Sequence, residues 1–304
     1  MEPHQNWPSS TGNSTPLHKI KLYLEYLLAR SGFGLMGLLP YALSLRVFGG
    51  LFARIGPWLR AHRRILDNLD HVGDVLGDCQ RDELAREVWR NLGQTLVDLS
   101  QLDLLRRSPA RLIIEGADIL DKLKEGGRPI LFFSAHLACW EMIRVATERH
   151  GHQPSMLYRQ FNNPYVDDYA RKVQSFTGAK VLTKGNAGAR DLVRLMKAGK
   201  SALLLLDQRF AEGVEVDFLG QPAMTAPAIA ALSLKYDAVI VPVHVTRLPA
   251  GHHKVVFSMP LSLKAGISNK CQIHHLLQQV NDRISAWIID SPQQWFWLHR
   301  RWKA

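Results

Sequence analysis

GGRPILFFSAHLACWE, from Gly126 to Glu141, is the stretch of sequence that decides the fold. A Gly-Gly-Arg-Pro turn leads into the apolar run Ile130 to Phe133, which predicts a short buried strand. Leu137 to Thr147 predicts the first turns of a helix. His136 therefore falls in the turn between strand and helix, five residues before Glu141, which is the H-x4-D/E spacing.

This spacing allows a histidine and a carboxylate to work as a pair. From a position outside the helix, the His136 ring can fold back toward Glu141. A carboxylate at one ring nitrogen fixes the tautomer and leaves the other nitrogen free to take a proton from a hydroxyl. The stretch supplies no nucleophile, so the pair suits an enzyme whose second substrate brings the attacking oxygen. For these two residues alone, a satisfied core histidine is the commoner explanation.

Apolar runs alternate with helical patterns along most of the chain, which predicts an α/β fold with a mostly parallel sheet flanked by helices. Val255 to Met259 is expected to add an antiparallel strand. The other predicted strands are Leu112 to Glu115, Ile130 to Phe133, Pro154 to Tyr158, Lys180 to Leu182, Ser201 to Leu206 and Val239 to Thr246.

We expect three regions: a disordered polar tail (1–16), a helical membrane-associating region (17–105) and an α/β catalytic domain (106–304). The longest uncharged stretch of the second region, Ser31 to Leu45, has 15 residues and contains Pro40. This is shorter than the roughly 20 residues that span a bilayer. The region is either a basic helical pair lying on a membrane surface or an ordinary core-facing helical hairpin.

Charge and cysteine content narrow the class of protein. The net charge of +11 favours an acidic partner, such as anionic lipid headgroups or an acidic carrier protein. No nucleic-acid motif is visible, so we expect no nucleic acid partner. Cys79, Cys139 and Cys271 form no paired framework, which indicates a reducing compartment. Cys139 is either a small buried residue or an acyl-accepting thiol, and the rest of the pattern favours the first.

Polar residues follow two further predicted strands. Arg159 follows Met156 to Tyr158, and Asp207 and Gln208 follow Leu203 to Leu206. Because catalytic groups of open α/β sheets gather at the carboxyl ends of the strands, we expect these residues to face one cleft with His136. Arg159 is either a solvated surface residue or a fork for a phosphate or a developing oxyanion. Asp207 either orients Arg159 or binds an acceptor hydroxyl.

Five separated blocks resemble one enzyme family in order and spacing. They are SAHLACWE, MLYRQFNNP, LLLLDQRF, VEVDFLGQPAMT and the terminal PQQWFWLHRRWK, which begin at Ser134, Met156, Leu203, Val214 and Pro292. Together they resemble the late acyltransferases of lipid A biosynthesis, a branch of the glycerolipid and lysophospholipid acyltransferase superfamily. The resemblance runs from about Leu17 to the C-terminus.

The resemblance implies transfer of a fatty acyl chain from acyl carrier protein to a hydroxyl of a lipid A precursor, at the cytoplasmic face of the inner membrane. It implies His136 and Glu141 as the catalytic pair, and no cofactor or metal. The substrate-binding residues that we expect are Arg159, Asp207, Gln208, Asn163 in the N-P turn and Thr225 in the F-x-G-x-P-A-x-T segment. The alternative is a glycerophosphate or lysophospholipid acyltransferase that uses acyl-CoA.

Overall fold

The computed structural model describes residues 15–77, 80–158, 162–174, 181–183 and 185–302. The predicted polar tail, apart from its last two residues, lies outside these ranges, as do Cys79 and Arg159. The helices of the described residues are α1 (Pro16–Leu38), α2 (Tyr41–Ile55), α3 (Ala61–His71), α4 (Gly73–Leu76), α5 (Arg81–Ser100), α6 (Leu102–Arg107), α7 (Ala117–Glu125), α8 (Glu141–Arg149), α9 (Pro164–Gln174), α10 (Asn186–Lys197), α11 (Ala228–Tyr236) and α12 (Asn269–Asp290).

A seven-stranded sheet forms the centre of the protein, in the order β1-β9-β8-β2-β5-β3-β4. Its neighbouring strands pair in parallel, except that β8 and β9 are antiparallel. Its strands are β1 (Leu112–Glu115), β2 (Ile130–Ser134), β3 (Ser155–Tyr158), β4 (Val181–Thr183), β5 (Ala202–Leu205), β8 (Val239–Leu248) and β9 (His252–Phe257). The predicted α/β class, the mostly parallel sheet and its antiparallel strand are confirmed.

A two-stranded hairpin is present that is not among the strands predicted from the sequence. The hairpin consists of β6 (Val214–Phe218) and β7 (Gln221–Thr225), and α11 begins only at Ala228. Gly220 has a φ of +73° in its turn, a conformation that favours glycine. The hairpin packs against α12, where Asn281 donates to the Asp217 carbonyl.

The strand β2 lies in the middle of the sheet, and all five of its residues are buried. Apolar side chains from both of its faces contribute to the two clusters that form the core. Its neighbours β8 and β5 run parallel to it, with Phe133 opposite Pro242 and Ser134 opposite Leu205. Parallel pairing brings the carboxyl ends of these strands to one edge of the sheet, where His136 and Asp207 follow directly.

The N-terminal region forms a layer of helices over this edge. The strongest contact is between α2 and α5, while α1 packs on α5 and α9. A leucine row on α1 stays exposed, with Leu17, Leu28 and Leu38 each more than three-quarters accessible. Among the helices in the described ranges, none combines the length and the apolar character needed to cross a bilayer.

Candidate active site

His136 and Asp207 form the centre of the candidate site. The Nδ1 atom of His136 lies 2.8 Å from Oδ1 of Asp207, and the backbone N–H of His136 donates to Oδ2 at 2.9 Å. Asp207 is fully buried, while the His136 side chain retains 17% of its accessible surface. The buried carboxylate therefore orients an imidazole that still reaches solvent.

The register of the sheet explains why residues 71 positions apart meet here. β2 and β5 are hydrogen-bonded neighbours, and the ladder continues one step beyond them through the bond from the Leu206 N–H to the Ser134 carbonyl, at 3.0 Å. Both chains leave the sheet after this point. As a result, the next polar residue on each chain points into the same space.

Two residues of the C-terminal segment also contact Asp207. The indole Nε1 of Trp295 donates to Oδ2 at 2.7 Å, and Nε2 of His299 lies 3.3 Å from the same oxygen. Trp295 is fully buried. Burial alone would raise the pKa of Asp207, but the charge and hydrogen bond of His136 and the nearby His299 outweigh it and hold that pKa well below the usual range. Asp207 is therefore ionised at neutral pH.

His299 has a different electrostatic setting from His136. Burial lowers its pKa, and the nearby Asp207 only partly opposes the shift, so the ring is neutral at neutral pH. The contact with Asp207 is close but not aligned as a hydrogen bond. The ligand atoms of His136, Asp207 and His299 lie within 4.8 Å of one another, so these three residues could hold a metal ion. The hydrogen bond between His136 and Asp207 explains the closeness of these two residues without a metal ion.

Aromatic rings hold the His136 ring in place. Trp140 packs edge-on at a centroid distance of 5.0 Å, and Phe296 lies at 6.3 Å. The backbone N–H of Phe296 also donates to the His136 carbonyl at 3.0 Å. Among the described residues, the hydrogen bonds of the ring involve Nδ1, and Nε2 has no partner. The arrangement leaves Nε2 available to exchange a proton with a substrate.

The turn after His136 is held in a strained conformation. Ala138 has a φ of +42°, which is uncommon for a residue with a side chain. Its N–H donates to the Gln294 carbonyl, and its own carbonyl accepts from Thr95. These contacts explain why α8 begins at Glu141 and not at Leu137, as the sequence analysis predicted.

Glu141 forms no hydrogen bond with His136 in the described structure, which differs from the geometry that the H-x4-E spacing predicts. The catalytic role of Glu141 stays a prediction. Glu141 is fully buried at the first position of α8, where its Oε2 accepts from Arg144 at 3.0 Å. Its Oε1 has no hydrogen-bond partner in the described structure. Burial raises the pKa of Glu141, and Arg144 offsets only part of that shift. The late start of α8 carries this side chain into the core and away from the ring.

The other predicted binding residues lie in different places. Asn163 begins α9: its Oδ1 accepts from the N–H groups of Tyr165 and Val166, and its Nδ2 donates to the Leu22 carbonyl and to Glu25. It therefore caps one helix and ties another to it. Gln208 follows Asp207, and its carbonyl accepts from Arg301 at 3.4 Å. Arg159 lies outside the described residues, so its role stays a prediction.

Thr225 belongs to a buried polar cluster behind the site. Its hydroxyl accepts from Arg301 Nη2 at 2.7 Å and from Asn281 at 3.1 Å. The guanidinium of Arg301 also lies 4.4 Å from the centre of the Phe218 ring. Burial lowers the pKa of Arg301 to about 10, which keeps it charged at neutral pH. These contacts fasten the C-terminal segment to the hairpin, and they leave Thr225 no exposed surface.

Cys139 is fully buried, and burial raises the pKa of its thiol well above the usual range. A neutral, inaccessible thiol is a poor nucleophile. The geometry therefore favours a packing role for Cys139 over the acyl-thiol alternative.

Residues 11–304 match the family model described as bacterial lipid A biosynthesis acyltransferase. The chain belongs to this family. It is therefore an acyltransferase of lipid A biosynthesis, as the resemblance of the five blocks predicted. Enzymes of the family are usually membrane-associated. A comparison with the curated proteins gives no match.

Trp295 and His299 were missed as site residues, although both lie in a block that the sequence analysis quoted. The available signal was the run of tryptophans in PQQWFWLHRRWK. An indole N–H needs a partner when it is buried, and a carboxylate that follows four leucines needs donors. Matching these two requirements would have paired Trp295 with Asp207.

Proposed function

We propose that this acyltransferase moves a fatty acyl chain from an acyl carrier protein thioester to a hydroxyl of a lipid A precursor, with His136 as the general base and Asp207 as the residue that orients it. The observation that carries the proposal is the 2.8 Å contact between His136 Nδ1 and the buried Asp207 carboxylate. That contact leaves Nε2 facing the accessible side of the ring.

The geometry supports a direct transfer between the two substrates. Nε2 of His136 takes the proton of the acceptor hydroxyl as its oxygen attacks the thioester carbonyl. The tetrahedral intermediate collapses with cleavage of the C–S bond, and the imidazolium returns the proton to the leaving thiolate. Asp207 stays ionised throughout and stabilises the imidazolium. The products are an ester and a free thiol, so the reaction balances without a redox step.

Glu141 has a supporting role in this proposal. Its pairing with Arg144 lies beneath the strained turn that carries His136. For Glu141 to orient His136 instead, the start of α8 would have to rotate and leave Arg144 buried without this partner.

An acidic carrier protein fits the charge near the site. Arg63, Arg64 and Arg300 are exposed, and Arg64 donates to the Leu298 carbonyl, next to His299. Complementary charge accelerates the encounter of two proteins and fixes their orientation. We therefore assign this basic surface to the acyl donor.

The exposed side of α1 is the proposed membrane-attachment surface. Leu17, Leu28 and Leu35 are exposed on it, and Lys21 lies on the same side of the helix. Apolar side chains beside basic ones are the pattern of a helix that lies at an interface with anionic lipids. Attachment through this helix at the cytoplasmic face of the inner membrane would bring the glycolipid acceptor to the sheet edge that carries His136.

A donor comparison tests the proposed reaction. The purified full chain is given a lipid A precursor with either acyl carrier protein thioester or acyl-CoA carrying the same acyl chain, and the product is measured by mass spectrometry. We expect ester formation with the carrier protein at a much higher kcat/KM. Higher activity with acyl-CoA on a lysophospholipid would instead support the glycerolipid alternative.

A vesicle assay tests the attachment surface separately. Leu28→Asp with Leu35→Asp should reduce binding to anionic vesicles, because two charges enter the apolar face of α1. Leu263→Asp is the matched control, since Leu263 is also exposed but follows β9. Equal binding by both variants would place the attachment surface elsewhere.

A further inference from the structure

A cleft of about 490 Å³ is lined in part by Gln294, the residue before Trp295. Its walls come from α2, α5, the carboxyl end of β8 and the turn Pro292–Gln294. Since β8 runs parallel to β2, the cleft opens at the same edge of the sheet as His136. Its volume is within the range of pockets that bind small molecules.

Three arginines and one glutamate line this cleft, namely Arg46, Arg90, Arg247 and Glu87. Arg46 is exposed and has no hydrogen-bond or ion-pair partner among the described residues. Arg90 binds Glu87 through its Nε, so its two terminal nitrogens remain free of partners in the described structure. The cleft thus offers guanidinium donors that the protein itself does not use.

Arg247 forms a rigid inner wall. Its Nη2 donates to the fully buried Asp98 at 2.6 Å and to Thr95 at 3.0 Å, and its Nη1 donates to Asn91. Its side chain is only 6% exposed. Tyr41 and His253 share the same Asp98 carboxylate. This network fixes the wall before any ligand enters, which lowers the entropy that binding would cost.

The rest of the cleft combines neutral donors with apolar surface. Gln94 and Gln293 line it, and neither side chain has a hydrogen-bond partner within the described ranges. Leu45, Leu248 and Pro249 supply the apolar part. This composition suits an organic ligand that carries an anion better than a bare inorganic ion.

The cleft is connected to the catalytic turn through the backbone. Gln294 lines the cleft, and its carbonyl accepts from the N–H of Ala138, two residues after His136. The next residue, Trp295, donates to Asp207. A ligand in the cleft would therefore lie one chain segment away from the reacting groups.

We propose that this cleft binds a phosphate ester carried by one of the two substrates. Arginine forks match phosphate oxygens in a bidentate geometry, and Arg46 and Arg90 are the free forks here. The ester belongs either to a phosphorylated sugar of the acceptor or to the phosphopantetheine arm of the donor. The assignment of the phosphate to the acceptor or to the donor rests on the proposed function. The anion site itself rests on the residues that line the cleft.

Arginine footprinting tests the site without any turnover. The full-length His136→Ala protein is treated with phenylglyoxal, and the modification of each arginine is followed by peptide mass spectrometry. The probes are glucosamine 1-phosphate and 4′-phosphopantetheine, each compared with its unphosphorylated form. Arg190 is the internal control because it is exposed on α10 and is not part of the cleft.

One of the phosphorylated probes should slow the modification of Arg46 and Arg90 by about tenfold or more at saturation, the scale of a charge-assisted hydrogen bond. Arg190 should react at an unchanged rate. Protection by the sugar phosphate assigns the acceptor, and protection by phosphopantetheine assigns the donor. Unchanged rates with both phosphorylated probes, or equal protection by an unphosphorylated probe, would overturn the proposal.

A second test measures the steady-state kinetics of a variant that should fold normally. Arg46→Glu, on the exposed side of α2, should raise KM for the substrate whose phosphate gives protection and leave kcat nearly unchanged. Arg190→Glu should change neither constant. Loss of kcat without a change in KM in Arg46→Glu would contradict a binding role. If the chain transfers no acyl group but the footprint appears, the proposed function fails and the anion site stands.

Discussion

Oδ2 of Asp207 accepts from both the backbone N–H of His136 and the indole of Trp295, while Oδ1 lies against the His136 ring. One carboxylate therefore fixes the ring, the backbone that carries it and the segment beneath it. This arrangement makes Asp207 the organising residue of the site.

Replacement of the proposed base should stop the chemistry and leave the fold intact. His136→Ala should lower kcat by about two to four orders of magnitude, the usual scale of general base catalysis. Acyl transfer is measured by mass spectrometry, and thermal unfolding serves as the control for folding. Near-normal turnover in a folded variant would remove His136 from the mechanism.

Trp295→Phe should remove one of the hydrogen bonds that orient the Asp207 carboxylate. The substitution keeps an aromatic ring but removes the indole N–H that lies 2.7 Å from Oδ2. We expect kcat to fall by roughly tenfold, because a hydrogen bond to a charged group contributes about 1.5–3 kcal/mol. Trp297→Phe is the matched control, since its indole donates to the Pro292 carbonyl and not to Asp207. A larger loss of kcat in the control would refute the special role of Trp295.

Cys139→Ala should retain most of the activity. The thiol is buried and its pKa is raised, so it is neutral at the pH of the reaction. Loss of one buried sulfur leaves a small cavity and should reduce the free energy of unfolding by about 1 kcal/mol. Turnover and thermal unfolding of the variant check both statements. Complete loss of turnover in a folded protein would restore the acyl-thiol mechanism.

Asp98→Asn should destabilise the protein by about 3–5 kcal/mol, because it leaves Arg247 buried without a charged partner. Burial would raise the pKa of Asp98, but Arg247 and His253 outweigh it and lower the pKa below the ordinary 3.8. Because the pKa is lower in the folded than in the unfolded state, ionised Asp98 stabilises the protein fully above about pH 3.8. This stabilisation is lost as the pH falls from 3.8 toward the folded-state pKa.

The free energy of unfolding of the wild type should therefore fall more steeply below pH 3.8 than that of Asp98→Asn. Denaturant titrations across this range measure the two slopes. Asp103→Asn provides the control, since Asp103 is exposed and forms a surface ion pair with Arg107. Identical slopes for wild type and Asp98→Asn would show that Asp98 is not held ionised by this network.

The sequence predicted the strands that position the site and placed Asp207 in one cleft with His136, but it paired the His136 ring with Glu141 instead. Ile130 to Phe133 and Leu203 to Leu206 are apolar runs with polar residues at their ends, so both strand ends were visible. Glu141 lay at a familiar spacing, while Asp207 was 71 residues away from His136. The choice between them depends on where α8 begins, and that is set by contacts of Ala138 with Gln294 and Thr95.

The substrate-binding roles of Asn163 and Thr225 stay predictions, and the structure shows the contacts that each side chain makes within the protein. Asn163 caps α9, and its side-chain amide donates to α1. Thr225 is satisfied by Arg301 and Asn281. These contacts are hydrogen bonds to residues far away in the sequence, such as Leu22 and Arg301. The local sequence around Asn163 and Thr225 therefore does not predict them.

The most direct test of the account compares acyl transfer by Asp207→Asn and Glu141→Gln, each normalised to its folded fraction. We predict that Asp207→Asn loses about two to four orders of magnitude in kcat, because the neutral amide no longer fixes or stabilises the charged ring. Glu141→Gln should lose less than about tenfold per folded molecule, since its effect is on stability. A severe loss in folded Glu141→Gln together with near-normal turnover in Asp207→Asn would contradict the central claim.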